Sequence, residues 1–213
     1  FSWYSEGIYR YQEEIVQAFQ QVFPSMKGAY EKHRYQTKDE HASDFLYGEA
    51  APEPLLVKEN GIQFATYLDE GWMTGIFLDQ RHVRNALLEK YAVGKTVLNT
   101  FSYTGAFSVA AAMGGASHTT SVDVANRSLE KTREQFEVNG LNPDDHLIRV
   151  MDVFDYIRYA KRKELAFDMI VVDPPSFART KKRTFSVTKD YSSMVEDLID
   201  ISAENGIFVC SSN

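Results

Sequence analysis

The chain has 213 residues, 44% of them hydrophobic, and carries 30 acidic against 23 basic side chains for a net charge of −7. That is material for one α/β core with a smaller appended unit, and the acidic balance excludes a chain that holds nucleic acid by bulk charge, so any basic surface must be local. The single cysteine excludes an intrachain disulfide, and no apolar run is long enough to span a bilayer.

No charged-then-apolar leader opens the chain, so the expected location is cytoplasmic. It begins at Phe1 rather than Met and stops just after an apolar strand, which reads as a fragment of a longer protein. Residues 3–23 carry Ile8, Tyr11, Ile15, Ala18, Phe19 and Val22 at helical spacing and predict one helix, closed by Pro24. Residues 29–35 alternate weakly and predict a strand. Residues 36–54 are polar, contain Pro52 and Pro54, and predict a loop. Residues 55–58 and 62–67 flank Asn60-Gly61, a pair that tolerates positive φ, and predict a hairpin with a type I′ turn. Residues 1–75 are therefore expected to form a small α+β domain with a structural or docking role, and residues 76–213 the larger domain.

In that larger domain the stretch from Gly71 to Arg81 leads into a helix over about 80–91. A strand at Val97-Leu98 breaks into the small-residue turn Ser102-Tyr103-Thr104-Gly105 and re-forms as an Ala-rich helix over 107–113, ending at Gly114-Gly115. Then come a strand to Asp123, a helix near 126–139 closed by Gly140, a strand over 147–151, a helix near 153–165 and a strand to Asp173. A helix over about 191–203 and a strand over 206–210 complete the chain. Strands separated by helices of this length predict a mainly parallel, doubly wound sheet with right-handed crossovers.

A dinucleotide turn needs three glycines to approach a pyrophosphate; this one has only Gly105, and no Lys-Ser/Thr follows to make a P-loop. A ligand with an adenosine and no phosphates fits better. Asp123, 18 residues past Gly105, would take the ribose diol, and Asp152 would accept from the adenine amino group. Asp173-Pro174-Pro175-Ser176-Phe177 ends the fourth strand at the ligand-binding edge of such sheets. Its prolines remove two N–H donors, Asp173 can hydrogen-bond a base edge, and Phe177 can stack on a flipped-out base. Arg179, Lys181, Lys182 and Arg183 follow directly and suit nucleic-acid phosphates. Lys161-Arg162-Lys163 closes a helix, where cations suit the dipole. The five histidines show no metal-ligand spacing, and no metal is expected.

Asn99-Thr100-Phe101-Ser102-Tyr103-Thr104-Gly105, Phe77-Leu78-Asp79-Gln80-Arg81 and Asp173-Pro174-Pro175-Ser176-Phe177 together resemble the class I methyltransferases of large-subunit ribosomal RNA. Within that group the chain is similar to the cytosine-C5 methyltransferase I family and its relatives, over roughly residues 50–213. The resemblance implies a Rossmann-like domain that binds S-adenosylmethionine through Asn99, Phe101, Ser102, Thr104 and Gly105. It puts Asp123 on the ribose, Asp152 near adenine, Arg81 close to the cofactor, and Asp173 against the target base, with Pro174 and Phe177 beside it. It also implies an N-terminal RNA-binding PUA domain that this chain lacks, a middle domain over the first 75 residues, and two further sheet strands. Methylation at C5 needs a thiolate to add at C6. Cys210 is the candidate nucleophile, although the family's cysteine falls nearer Asn213 and a Cys in an apolar strand is usually a small buried hydrophobe. The Ser211-Ser212-Asn213 ending also resembles guanine-N7 relatives, which need no thiol.

The resulting expectation is an S-adenosylmethionine-dependent methyltransferase of a 23S ribosomal RNA base, at cytosine C5. Methylation of guanine N7 or an exocyclic amine, and a non-catalytic binding module, are the alternatives. The expected partner is RNA and not a membrane, with a homodimer as an option.

Overall fold

The computed structural model describes residues 1–35, 43–180 and 183–211. They divide into two compact units: Phe1–Val57 with Ala65–Ile76, and Lys58–Phe64 with the residues from Phe77 on.

The first unit holds a sheet of β1 (Ser2–Trp3), β2 (Gly28–His33) and β3 (Ser43–Gly48), with β1 parallel and β3 antiparallel to the central β2. The single helix expected over residues 3–23 is instead β1, α1 (Glu6–Tyr9) and α2 (Gln12–Val22). Trp3 explains the difference. It pairs with His33 and donates its indole N–H to Glu31 Oε2 at 2.9 Å, which commits the first residues to the sheet. Ser5 then caps α1 by accepting from the Ile8 amide at 3.3 Å. The apolar stripe is not core either: Val16 is buried, whereas Ile8, Tyr11, Phe19 and Val22 are exposed.

Strand β3 lies inside the segment expected to be loop, because its pairing with β2 (Tyr30 to Phe45, Lys32 to Ser43) outweighs a weak local pattern. Residues 36–42 of that expectation lie outside the described residues. Lys32 is buried but satisfied, donating to Ser43 Oγ at 2.8 Å and to the carbonyls of Leu68 and Gly71 at 2.6 Å each. Burial lowers its pKa. The predicted hairpin is present as β4 (Leu55–Glu59) and β5 (Ile62–Thr66), with Asn60 at φ 52° and Gly61 at φ 86° as a type I′ turn demands.

The second unit is built on a fully parallel sheet in the order β12-β9-β6-β7-β8, from β6 (Thr96–Thr100), β7 (His118–Asp123), β8 (Leu147–Val150), β9 (Phe167–Val172) and β12 (Ser202–Cys210). Its helices are α3 (Arg81–Ala86), wound as a π turn over Leu87–Tyr91, then α4 (Ala106–Met113), α5 (Arg127–Glu137), α6 (Val153–Arg162) and α7 (Val187–Ile199). Helix α6 buries Val153, Phe154, Tyr156, Ile157 and Ala160 on one stripe, against Ile170 and Val172 of β9 and Met194 and Leu198 of α7. At the amino ends of the strands Asp168 pins β9 to β6, accepting from the Thr96 amide at 2.8 Å and its hydroxyl at 2.9 Å.

Helix α7 starts four residues earlier than its apolar period suggests, because Asp190 accepts from the Ser186 amide at 2.8 Å and fixes the first turn. The following strand also starts earlier, at Ser202, and slips register before Ile207 with Asn205 at φ 61°. Beyond Phe177 there is a hairpin of β10 (Phe177–Arg179) and β11 (Thr184–Ser186) rather than a plain loop, closed by the Thr180 amide on the Arg183 carbonyl at 2.8 Å.

Candidate active site

The carboxyl ends of β6, β7 and β9, with Asp152 two residues past β8, carry most of the side chains singled out from the sequence. Between β6 and α4 the backbone turns left-handed at Phe101 (φ 52°), Tyr103 (φ 51°) and Gly105 (φ 79°). Two of these are not glycine, and holding them there costs on the order of 1–3 kcal/mol each. Local hydrogen bonds offset that cost: Ser102 N to Val122 O at 3.0 Å, Gly105 N to Ser102 O at 2.7 Å, and Tyr103 N to Asp123 Oδ2 at 2.9 Å. Gly105 is required twice over, since a Cβ there would also sit 2.5 Å from Thr132 Cγ2. Asn99, Ser102 and Thr104 are buried, and Asn99 Nδ2 donates to Ser108 Oγ at 3.0 Å. Asn99 therefore braces the turn from beneath.

Asp123 accepts from Tyr103 N and, through Oδ1, from Ala125 N at 2.9 Å, so its carboxylate is oriented by two amides while staying half-buried. Its carbonyl accepts from Met151 N at 2.8 Å, which brings the start of the Asp152 turn alongside. Asp152 caps α6, with Oδ1 taking Phe154 N at 3.0 Å and Asp155 N at 3.3 Å. Arg81 is exposed as the first residue of α3.

Asp173 follows β9, next to the β6 turn. Its Oδ1 accepts a short hydrogen bond from the Ser211 hydroxyl, and that hydroxyl accepts from Gln80 Nε2 at 3.2 Å. The Phe77 carbonyl accepts from Gln80 N at 3.3 Å and from buried Arg84 at 2.9 Å, and Arg84 also pairs with both oxygens of Glu59 at 2.8 and 2.9 Å. Cys210 is exposed, contrary to the buried setting expected of a thiol in an apolar strand, and neighbours the Tyr191 hydroxyl. Burial, then hydrogen bonding to Cys210, and the charges of Cys210 and Asp173 push Tyr191 up to about 12. Gln80, Tyr191 and Ser211 were not singled out from the sequence. Gln80 lies within the Phe77 motif and Ser211 in the terminal segment, and their contact spans 131 residues.

Pro174 is buried, and Phe177 and Arg179 are exposed on the β10–β11 hairpin. The hairpin is anchored by buried Phe185, whose ring lies 5.7 Å from Phe101 and 5.8 Å from Phe154. Arg183 stacks 4.1 Å over Phe154. Lys181 and Lys182 lie outside the described residues.

Residues 9–213 match the family described as S-adenosylmethionine-dependent methyltransferase. The chain is 57% identical to YwbD of Bacillus subtilis (strain 168), over 99% of this chain and 54% of that one. It is 39% identical, over 76% of its length and 46% of the relative's, to ribosomal RNA large subunit methyltransferase K of Neisseria meningitidis serogroup B (strain ATCC BAA-335 / MC58). The crystal structure of SMU.776 complexed with SAH superposes with a TM-score of 0.92 at 54% identity, covering 97% of this chain and 53% of that one. The chain thus spans about half the length of the curated relatives it matches. With that match over almost its whole length, and a parallel sheet whose first-strand turn is braced by Asp123, the chain belongs to the S-adenosylmethionine-dependent methyltransferase family.

Proposed function

We propose that this chain is the cofactor- and base-binding part of an enzyme that methylates a base of large-subunit ribosomal RNA, with cytosine C5 as the target atom. The residues present suit the family's cofactor. A glycine turn without a diphosphate cradle and an oriented, half-exposed carboxylate at Asp123 match an adenosine ligand that carries no phosphates. When bound, S-adenosylmethionine supplies an electrophilic methyl group on a sulfonium sulfur. In this reading Asp123 holds the ribose, Asp152 takes the adenine amino group, and Arg81 lies close to the cofactor.

The observation that carries the substrate side is the Asp173 carboxylate after β9, held by Ser211, which Gln80 in turn donates to, with Cys210 at the end of the neighbouring β12 and exposed Phe177 at the start of β10. Fixed this way, Asp173 can accept from the exocyclic N–H of an extruded base while Phe177 stacks on its face and Arg179 meets phosphate. The relatives named ribosomal RNA large subunit methyltransferase K and I support the RNA assignment.

For C5, the Cys210 thiolate would add to C6 and make C5 nucleophilic toward the methyl group that the cofactor would supply; once C5 carries the methyl, loss of its proton to water and expulsion of the thiolate would restore the ring. The position of Cys210 at the carboxyl end of β12, paired with Val172 next to Asp173, supports this route. Methylation at a nitrogen is the second reading, favoured by a base-orienting Asp173 network that works without a thiol. Residues 1–75 are proposed to dock the RNA.

The deciding experiment supplies labelled S-adenosylmethionine to the full-length protein with ribosomal RNA from a strain lacking the gene, then identifies the methylated nucleoside by mass spectrometry. 5-Methylcytidine that disappears with Cys210→Ala supports the C5 route. Methylated guanosine that persists in the variant supports the nitrogen route. Cofactor binding with no methylated nucleoside would leave a binding module.

A further inference from the structure

Apart from the residues assigned above, the first unit gathers one histidine and two carboxylates on a single sheet face. Glu31 and His33 are two residues apart on β2, so both side chains leave the same side, and Asp44 on β3 is the cross-strand partner of Glu31. His33 Nε2 lies 3.4 Å from Glu31 Oε1 and 3.4 Å from Asp44 Oδ2, and the three potential ligand atoms lie within 4.8 Å of one another.

We propose that Glu31, His33 and Asp44 bind a divalent cation of borderline softness, Zn²⁺, which clips β2 to β3. Distance is the first argument. A charge-assisted N–H···O bond closes to about 2.7–2.9 Å, and one Nε2–H cannot point at two carboxylates at once. Ligand atoms about 2.0–2.2 Å from a tetrahedral zinc stand about 3.3–3.6 Å apart, which is the separation of His33 Nε2 from each of the two carboxylates. Octahedral Mg²⁺ at about 2.0–2.1 Å would draw neighbouring ligands to about 2.9 Å, and Ca²⁺ prefers oxygen to imidazole.

Charge is the second argument. Glu31 and His33 are each only 6% exposed. The buried Glu31 carboxylate and the Asp44 carboxylate converge on one imidazole, and a divalent cation would balance both negative charges.

Orientation and access complete the case. Trp3 Nε1 and Gln12 Nε2 both donate to Glu31 Oε2, at 2.9 Å each, and turn Oε1 toward His33 as outer hydrogen bonds do for metal-ligating carboxylates. The Asp44 side chain is 45% exposed, leaving room for entry and for a water as fourth ligand. The site does not depend on the methyltransferase reading, and its test reads no catalysis.

Chelator-treated full-length protein is titrated calorimetrically with ZnCl2, and in parallel with MnCl2 and CaCl2. One Zn²⁺ per chain is expected at this site, bound at least tenfold more weakly by Asp44→Asn, with Zn²⁺ raising Tm in the parent and not in the variant. Asp44 is exposed enough for its variant to fold, and His33→Gln serves as the second. X-ray absorption on the zinc-loaded protein is expected to give a shell of N and O only, which separates this site from adventitious binding at Cys210. Absence of saturable Zn²⁺ binding, binding unchanged in Asp44→Asn, sulfur in the shell, or a preference for Ca²⁺ would each overturn the assignment.

Discussion

Asp123 serves the local fold and the proposed ligand with the same carboxylate. It accepts from the amides of Tyr103 and Ala125, and so fixes the left-handed turn. Asp123→Ala should lower affinity for S-adenosylmethionine at least tenfold in calorimetry while leaving the far-UV spectrum intact. An unchanged affinity would remove Asp123 from the cofactor site. At Gly105 the expected effect is on folding, because alanine there must adopt φ 79° with its Cβ against Thr132. Gly105→Ala should cost roughly 1–3 kcal/mol in denaturant unfolding. Both residues were legible in the sequence, since a strand, a glycine turn and an acidic residue at the next strand end carry a recognisable spacing. Gln80 and Ser211 were not singled out, because what makes them matter is a contact between distant segments. Nor was the Glu31, His33 and Asp44 cluster, since it is assembled by β-pairing rather than by ligand spacing along the chain.

The elements show the same division between local and tertiary information. Strands β6, β7 and β9 and helices α4 and α5 were readable because apolar runs, glycine turns and helical periods agree there. Elements whose form is decided by a partner were not. Trp3 became strand through His33 and Glu31, β3 through β2, and the start of α7 is fixed by Asp190. Two element-level contacts predict how stability responds to pH. Hydrogen bonds from Thr96 hold the Asp168 carboxyl below its ordinary value of 3.8. Its contribution is therefore complete above about pH 4 and is lost as pH falls through the lower folded value. Asp168→Asn should reduce Tm at pH 7 and flatten the acid limb of Tm against pH.

Burial, and next the nearby His118, hold His146 below 6.5, and its Nδ1 accepts from the Thr119 amide at 3.3 Å. The neutral ring is therefore the folded form. Its contribution is complete above pH 6.5 and falls as pH drops through the depressed folded value, so Tm should decline from pH 7.5 to 5.5, and less steeply in His146→Gln.

At the scale of the whole molecule, a net charge of −7 leaves RNA engagement to a local surface, and the proposed one is the β10–β11 hairpin, where Arg179 and Phe177 are both exposed. Arg179→Ala should weaken RNA binding and reduce the slope of log K against log salt by about one, as expected for a single phosphate contact. Phe177→Ala should weaken binding by about 1–3 kcal/mol with little change in that slope, because stacking releases no counterions. Methyl transfer itself is measured most directly by the incorporation of label from methyl-tritiated S-adenosylmethionine, by the full-length protein, into large-subunit ribosomal RNA from a strain lacking the gene and from its parent. Stoichiometric label in the first RNA and almost none in the second, whose site is already methylated, is the expected result. Label in neither RNA, or equally in both, would contradict it.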